Sequence, residues 1–168
     1  MTKFFVAVLM GSASDLPTMR ATIDVLKSLE IEYEVKITSA HRTPSVTHAY
    51  VKKADERGCA VFIAAAGLAA HLAGTVAALT LKPVIGVPME GGPLKGQDAL
   101  YSTVQMPGGI PVATVAIGNA GAKNAAYLAA QILALSDPAL AHRLGAKRED
   151  DAQKVLEADA DLQKSLAG

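Results

Sequence analysis

The chain has no tryptophan, only three phenylalanines and four tyrosines, and a single cysteine, Cys59. So few aromatic faces argue against a protein that stacks bases or a flavin ring. One thiol excludes an internal disulfide framework and any CxxC metal or redox motif. Charge of neither sign is in excess: Lys plus Arg is 16 and Asp plus Glu is 16. A nucleic-acid coat or an anionic-membrane binder needs a basic surplus that is missing here. Long apolar runs are also missing. Phe4 to Met10 meets Gly11 at once, too short for a leader and far from the roughly 20 residues of a spanning helix. A soluble, cytoplasmic protein that contacts neither nucleic acid nor membrane is the expectation. What the chain does have is length and apolar content. Its 168 residues are 51% hydrophobic and 19% charged, which suits one ordered domain with a sizeable core.

The first half alternates two periods. Phe4–Met10 is continuously apolar, as in a strand buried on both faces. Asp15 then reads as an N-cap with Pro17 in the first turn, opening a helix marked by Met19, Ile23, Leu26 and Leu29. Tyr33–Thr38 is β-like, and Thr43-Pro44 is a second cap-and-proline start for a helix ending at Gly58. Further strands are expected at Val61–Ala65, Pro83–Val87 and Val112–Ile117. Helices are expected at Ala69–Leu81, Asp98–Gln105 and Ala120–Leu135. Strands alternating with helices predict a parallel sheet with right-handed crossovers. The architecture expected is a flavodoxin-like, three-layer αβα domain over residues 1–136, with strand order 2-1-3-4-5. A C-terminal helical extension, residues 137–168, follows it.

Charge is unevenly spread. From Ala99 to Ser136 the only charged residue is Lys123. Surface helices normally carry charge, so this stretch reads either as a central core helix or, preferably, as a face packed against another subunit. The tail is densely charged, with a broken stripe of Leu140, Leu144, Val155, Leu156, Leu162 and Leu166. Such a helix needs a partner surface, in its own subunit or the next, or else is a solvated end.

In an open parallel sheet, ligands bind beyond the carboxyl ends of the strands. The loops reaching that edge are Gly11–Asp15, Ser39–Thr43, Ala66–Leu72 and Pro88–Asp98. The first three offer Ser12, Ser14, Asp15, Ser39, His41, Arg42, Gly67 and His71. Hydroxyls, helix-start amides and an arginine suit a phosphate, and Asp15 suits the paired hydroxyls of a ribose. A histidine beside them suits proton transfer. Each feature also has a plain reading. The first loop lacks the usual phosphate-loop patterns and could be only a helix cap. His41 could be a solvated loop residue, and His71, between apolar neighbours, reads rather as a packed structural histidine. His48 and His142 read as surface residues, and Cys59 as a packed small side chain. No set of ligands has metal spacing, so no metal is expected. The residues alone describe a cofactor-free enzyme for a small phosphorylated molecule, without naming its reaction.

These loops lie in five ordered motifs. They are Met10-Gly11-Ser12-x-Ser14-Asp15, Ser39-Ala40-His41-Arg42-Thr43-Pro44, and Ala66-Gly67-x-Ala69-Ala70-His71-Leu72. The others are Pro83-Val84-Ile85-Gly86-Val87-Pro88 and Tyr101-Ser102-x-Val104-Gln105-Met106-Pro107-Gly108-Gly109-Ile110-Pro111-Val112. Together they resemble the class I N5-carboxyaminoimidazole ribonucleotide mutases of purine biosynthesis, over roughly residues 4 to 135. The resemblance implies a homo-octamer that uses neither metal nor organic cofactor and moves a carboxylate from the exocyclic nitrogen to ring carbon 4. It implies that His41 is the general acid and base, and that Ser12, Asp15 and Arg42 bind substrate. Ser14 and Ser39 would line the phosphate and ribose pocket. Gly67 and Leu72 would contact the carboxylate and ring, with His71 a second histidine nearby. Leu68, Leu72 and Met89 would supply apolar walls. Three departures stand out. Leu68 and Ala73 replace a glycine and a proline common in the family, and Met89–Gly96 carries the pair Gly91-Gly92. Leucine resists positive φ, so the carboxylate loop is expected to differ in shape. The alternatives are direct carboxylation of aminoimidazole ribonucleotide by carbon dioxide, as in the class II enzymes, and a non-enzymatic mononucleotide-binding module such as a flavin carrier.

Overall fold

The computed structural model describes residues 4–167. Five parallel strands form one sheet in the order β2-β1-β3-β4-β5: β1 is Phe5–Met10, β2 Tyr33–Ile37, β3 Cys59–Ala66, β4 Val84–Pro88 and β5 Ala113–Thr114. The helices are α1 (Leu16–Ser28), α2 (Pro44–Glu56), α3 (Leu72–Ala77), α4 (Gln97–Val104), α5 (Gly118–Ala134) and α6 (Pro138–Ala167). The expected fold and strand order are therefore the observed ones. The chain divides into two compact units, residues 1–129 and 130–168, with the division falling inside α5.

In the first unit, β1 lies between β2 and β3 and all six of its residues are buried, which explains its unbroken apolar run. Phe5, Ala7 and Leu9 face a core completed by Val51 and Ala54 of α2 and by Leu72, Ala73 and Val76 of α3. On the opposite face, Thr22 of α1 donates to the Ala122 carbonyl of α5 at 2.7 Å, tying those two helices together. Ala122, Ala125, Ala126 and Ala129 are fully buried. The low charge of this part of α5 thus has a source within the subunit: its alanine stripe permits close approach to the core.

Four local expectations change. Asp15 stands at the N-cap of α1 with Pro17 in the first turn, as expected, but its side chain makes no capping bond to that helix. Its carboxylate turns back to the Ser12 amide while the Ser12 hydroxyl accepts from Ser14, a capping box around the short 3₁₀ turn Ala13–Asp15. Thr43 likewise holds the N-cap position of α2 ahead of Pro44 without a capping bond; its hydroxyl accepts from the Ser39 amide at 2.9 Å. Helix α3 is six residues rather than thirteen: a turn through Leu68–Ala70, its Ala70 amide taken by the Ser102 hydroxyl, delays its start, and a turn at Ala78–Leu79, with Leu79 donating to the Val76 carbonyl, ends it early. Strand β5 is two residues long. Val115 still donates to the Gly86 carbonyl, but Pro88 has no amide hydrogen to continue the ladder.

The second unit is the end of α5 and the long α6. Ion pairs at i,i+3 and i,i+4 line α6, among them Lys154–Asp150 at 2.6 Å and Lys147–Asp151. Val155, Leu156, Leu162 and Leu166 are exposed.

Candidate active site

The loops leave the sheet at one level. After β1, β2 and β4 the chain adds one more ladder bond: Gly11 donates to Ala65, Thr38 to Met10 and Met89 to Ala66. The turns after β1, β2, β3 and β4 therefore rise side by side and enclose a cavity of about 710 Å³. Every residue singled out from the sequence lines it. Ser12, Ser14 and Asp15 come from the first turn, Ser39, His41 and Arg42 from the second, and Gly67, His71 and Leu72 from the third. The apolar walls expected of Leu68 and Met89 are also there.

The second turn stands on buried hydroxyls. Thr38 and Thr47 are linked at 2.7 Å, and Thr43 bonds both the Ser39 amide and carbonyl. The Ser39 hydroxyl accepts from the Arg42 amide at 3.1 Å, so this serine shapes the turn that presents His41 and Arg42. Both of those side chains are exposed.

His71 is not the packed histidine its neighbours suggest. Helix α3 begins one residue later, so Ala70 and Leu72 turn inward while His71 is left exposed at the cavity. Its Nδ1 lies 2.6 Å from His41 Nε2, with the rings edge to face at 82°. One proton must sit between these nitrogens, so one ring donates and the other accepts. His41 keeps its Nδ1 for other partners.

Asp15 is half-buried, and burial raises its carboxyl above the ordinary 3.8, against the opposing bonds from the Ser12 amide and the Ser14 hydroxyl. Glu90 is a cavity residue that motif reading passed over. Its signal was its place two residues past the carboxyl end of β4. The cavity thus holds a guanidinium, two carboxyl groups and a coupled imidazole pair. That set suits a small polyhydroxylated anion undergoing proton transfer.

Fold and site define a doubly wound α/β protein with a small-molecule cavity at the carboxyl edge of its sheet. Residues 5–154 match the AIR carboxylase family, and the chain belongs to that family. It is 53% identical over 157 residues to the N5-carboxyaminoimidazole ribonucleotide mutase of Bacillus subtilis, covering 94% of this chain and 97% of that one. The mutase of the same name from Pyrococcus abyssi is 54% identical over 145 residues, covering 86% and 82%. That of Escherichia coli is 51% identical over 152 residues, covering 90% of each. The crystal structure of Treponema denticola PurE has a TM-score of 0.85 at 34% identity, covering 95% of this chain and 98% of that chain.

Proposed function

We propose that this chain is a mutase converting N5-carboxyaminoimidazole ribonucleotide to 4-carboxy-5-aminoimidazole ribonucleotide in purine biosynthesis. The observation that carries the reading is the meeting of His41, Arg42, Ser12 and Asp15 on one cavity, in a chain about half identical to mutases along nearly its whole length. Direct carboxylation and flavin carriage are not favoured by those relatives.

The chemistry follows from the residues. Arg42, with the Ser12 and Ser14 hydroxyls, anchors the phosphate, and Asp15 accepts from ribose hydroxyls. Anchoring remote from the reacting atoms positions the ring. His41 gives a proton to the exocyclic nitrogen as its bond to the carboxylate carbon breaks, and the bonding pair stays on nitrogen. Carbon dioxide is released within the cavity. Carbon 4 of the ring attacks it, and the tetrahedral carbon then returns its proton to His41. No atom is gained or lost, and the acid returns to its starting state. His71 holds the Nε2 side of the His41 ring, which fixes its tautomer and orientation.

The reaction as written asks for no metal or organic cofactor. The working assembly is a homo-octamer in the cytoplasm, with α6 packed at a subunit junction beyond the domain of residues 1–136. Supporting this are the charge-free stretch after Asp98 and the exposed Tyr101 and Val104 on α4. Among the described residues no helix is long and apolar enough to cross a membrane.

The test is to give the purified protein N5-carboxyaminoimidazole ribonucleotide without bicarbonate. Prompt formation of the 4-carboxy product is expected. Product formed only from aminoimidazole ribonucleotide plus bicarbonate would reject the mutase in favour of a carboxylase.

A further inference from the structure

Two of the departures from the family pattern, Leu68 and the Gly91-Gly92 pair, meet in space. Leu68 adopts φ +57, the left-handed conformation that leucine disfavours. The loop is therefore not reshaped to spare the leucine. Its side chain is 56% exposed, yet it lines the cavity. Leu68 Cδ2 lies 2.5 Å from where a Cβ on Gly92 would stand, so it fills the space that any side chain at that position would claim. Gly92 itself has φ +63. This contact joins the loop after β3 to the loop after β4 along one rim. A strained, exposed apolar side chain at a cavity mouth points to a use in the liganded state.

The proposed reaction supplies that use. Carbon dioxide is released before it is recaptured, and it is small, uncharged and without a hydrogen-bond donor. Arginine and carboxylate anchors hold the nucleotide but give this fragment little grip, so it needs a wall. Met89 and Leu72, both almost wholly buried, line the same cavity. We propose that Leu68, seated on Gly92, is the positioning residue that confines the released carbon dioxide until carbon 4 attacks it. The proposal rests on the mutase reading. If the gas escapes, the carbon–nitrogen bond has broken but no carbon–carbon bond forms, and the nucleotide leaves as aminoimidazole ribonucleotide.

The experiment compares the full-length protein with Leu68→Gly, which removes the wall and relieves the left-handed strain. Each is given N5-carboxyaminoimidazole ribonucleotide in buffer containing ¹³C-bicarbonate. The readouts are aminoimidazole ribonucleotide released per product formed, above the enzyme-free background, and label in the product. The expected result is about a tenfold rise in release for Leu68→Gly, with label appearing in its product and KM little changed. An unchanged ratio and unlabelled product, beside an active wild type, would overturn the role of Leu68. An inactive wild type would overturn the mutase reading first. Thermal melts check the contact without any assay. Gly92→Ala should lower Tm, and adding Leu68→Gly should restore part of the loss; no restoration would remove the contact on which the role stands.

Discussion

In the proposed reaction three side chains divide the chemistry between binding and turnover, and single substitutions separate them. His41→Asn keeps a hydrogen-bonding ring substitute but no titratable nitrogen. Turnover should vanish while substrate affinity, measured by calorimetry, stays within about tenfold. Arg42→Ala removes a charge-assisted anion contact worth about 1.5–3 kcal/mol, so affinity should fall by roughly 10- to 150-fold. An unchanged affinity would place the phosphate elsewhere. Asp15 makes a prediction in pH. Its carboxyl titrates above the ordinary 3.8 because of burial, so the folded chain holds that proton longer than the unfolded chain does. Stability from this group is therefore lost as pH rises from about 3.8 through the folded value, and the carboxylate is a cost at neutrality. Asp15→Asn still accepts from the Ser12 amide. It should melt no lower than wild type at pH 7, with a flatter pH profile, while binding substrate more weakly. Thermal melts across pH, beside titrations with substrate, check both halves. The residue types of this site were legible in the chain because hydroxyls, histidine and arginine cluster after apolar runs. The pairing of His41 with His71, thirty residues on, was not, because the distance between their rings depends on where β1 puts β2 and β3.

Among the elements, α4 has a task its sequence does not advertise. The Ser102 hydroxyl accepts from the Ala70 amide at 2.9 Å and donates to the Asp98 carbonyl at 2.7 Å. It thereby clamps the turn that carries Gly67, Leu68 and His71. Ser102→Ala leaves a buried amide unpaired, a loss of about 1–3 kcal/mol readable in a denaturant titration. The substitution should also lower kcat more than it raises KM, because the turn holding His71 loosens. Ser102→Thr, which keeps the hydroxyl, should recover both. The strands were readable where burial on two faces made them continuously apolar, as in β1 and β3. The helix after β3 and the last strand were overextended, for a shared reason. The start of the one and the end of the other are set by long-range partners, Ser102 and Pro88, and local pattern carries no record of either.

For the molecule as a whole, the arrangement of charge bears on assembly. The edge strand β2 is tied by Glu34, whose carboxylate meets Arg57 and the Tyr50 hydroxyl, and Arg57 holds Glu34 below the ordinary carboxylate range. Beyond Asp98 in its first turn, helix α4 and the segment after it carry no charge until Lys123, and Tyr101 and Val104 lie exposed there. Light scattering in solution should report a mass several times 17.3 kDa, in keeping with the proposed octamer. A monomer at all concentrations would contradict it. Only part of the charge-free stretch supports this argument, since the α5 alanines are buried within the subunit.

The order of strands and helices, the all-parallel sheet and the turns that carry chemistry all follow from local pattern. Runs of apolar residues and the caps between them are short-range features, and right-handed crossover leaves few ways to join them. The tertiary structure alone decided what those turns do to one another: the imidazole pair, the Ser102 clamp, and Leu68 resting on Gly92. Each of these is a contact between residues far apart in sequence. Its existence depends on ångström-scale placement by the packed sheet, a quantity that no periodicity encodes.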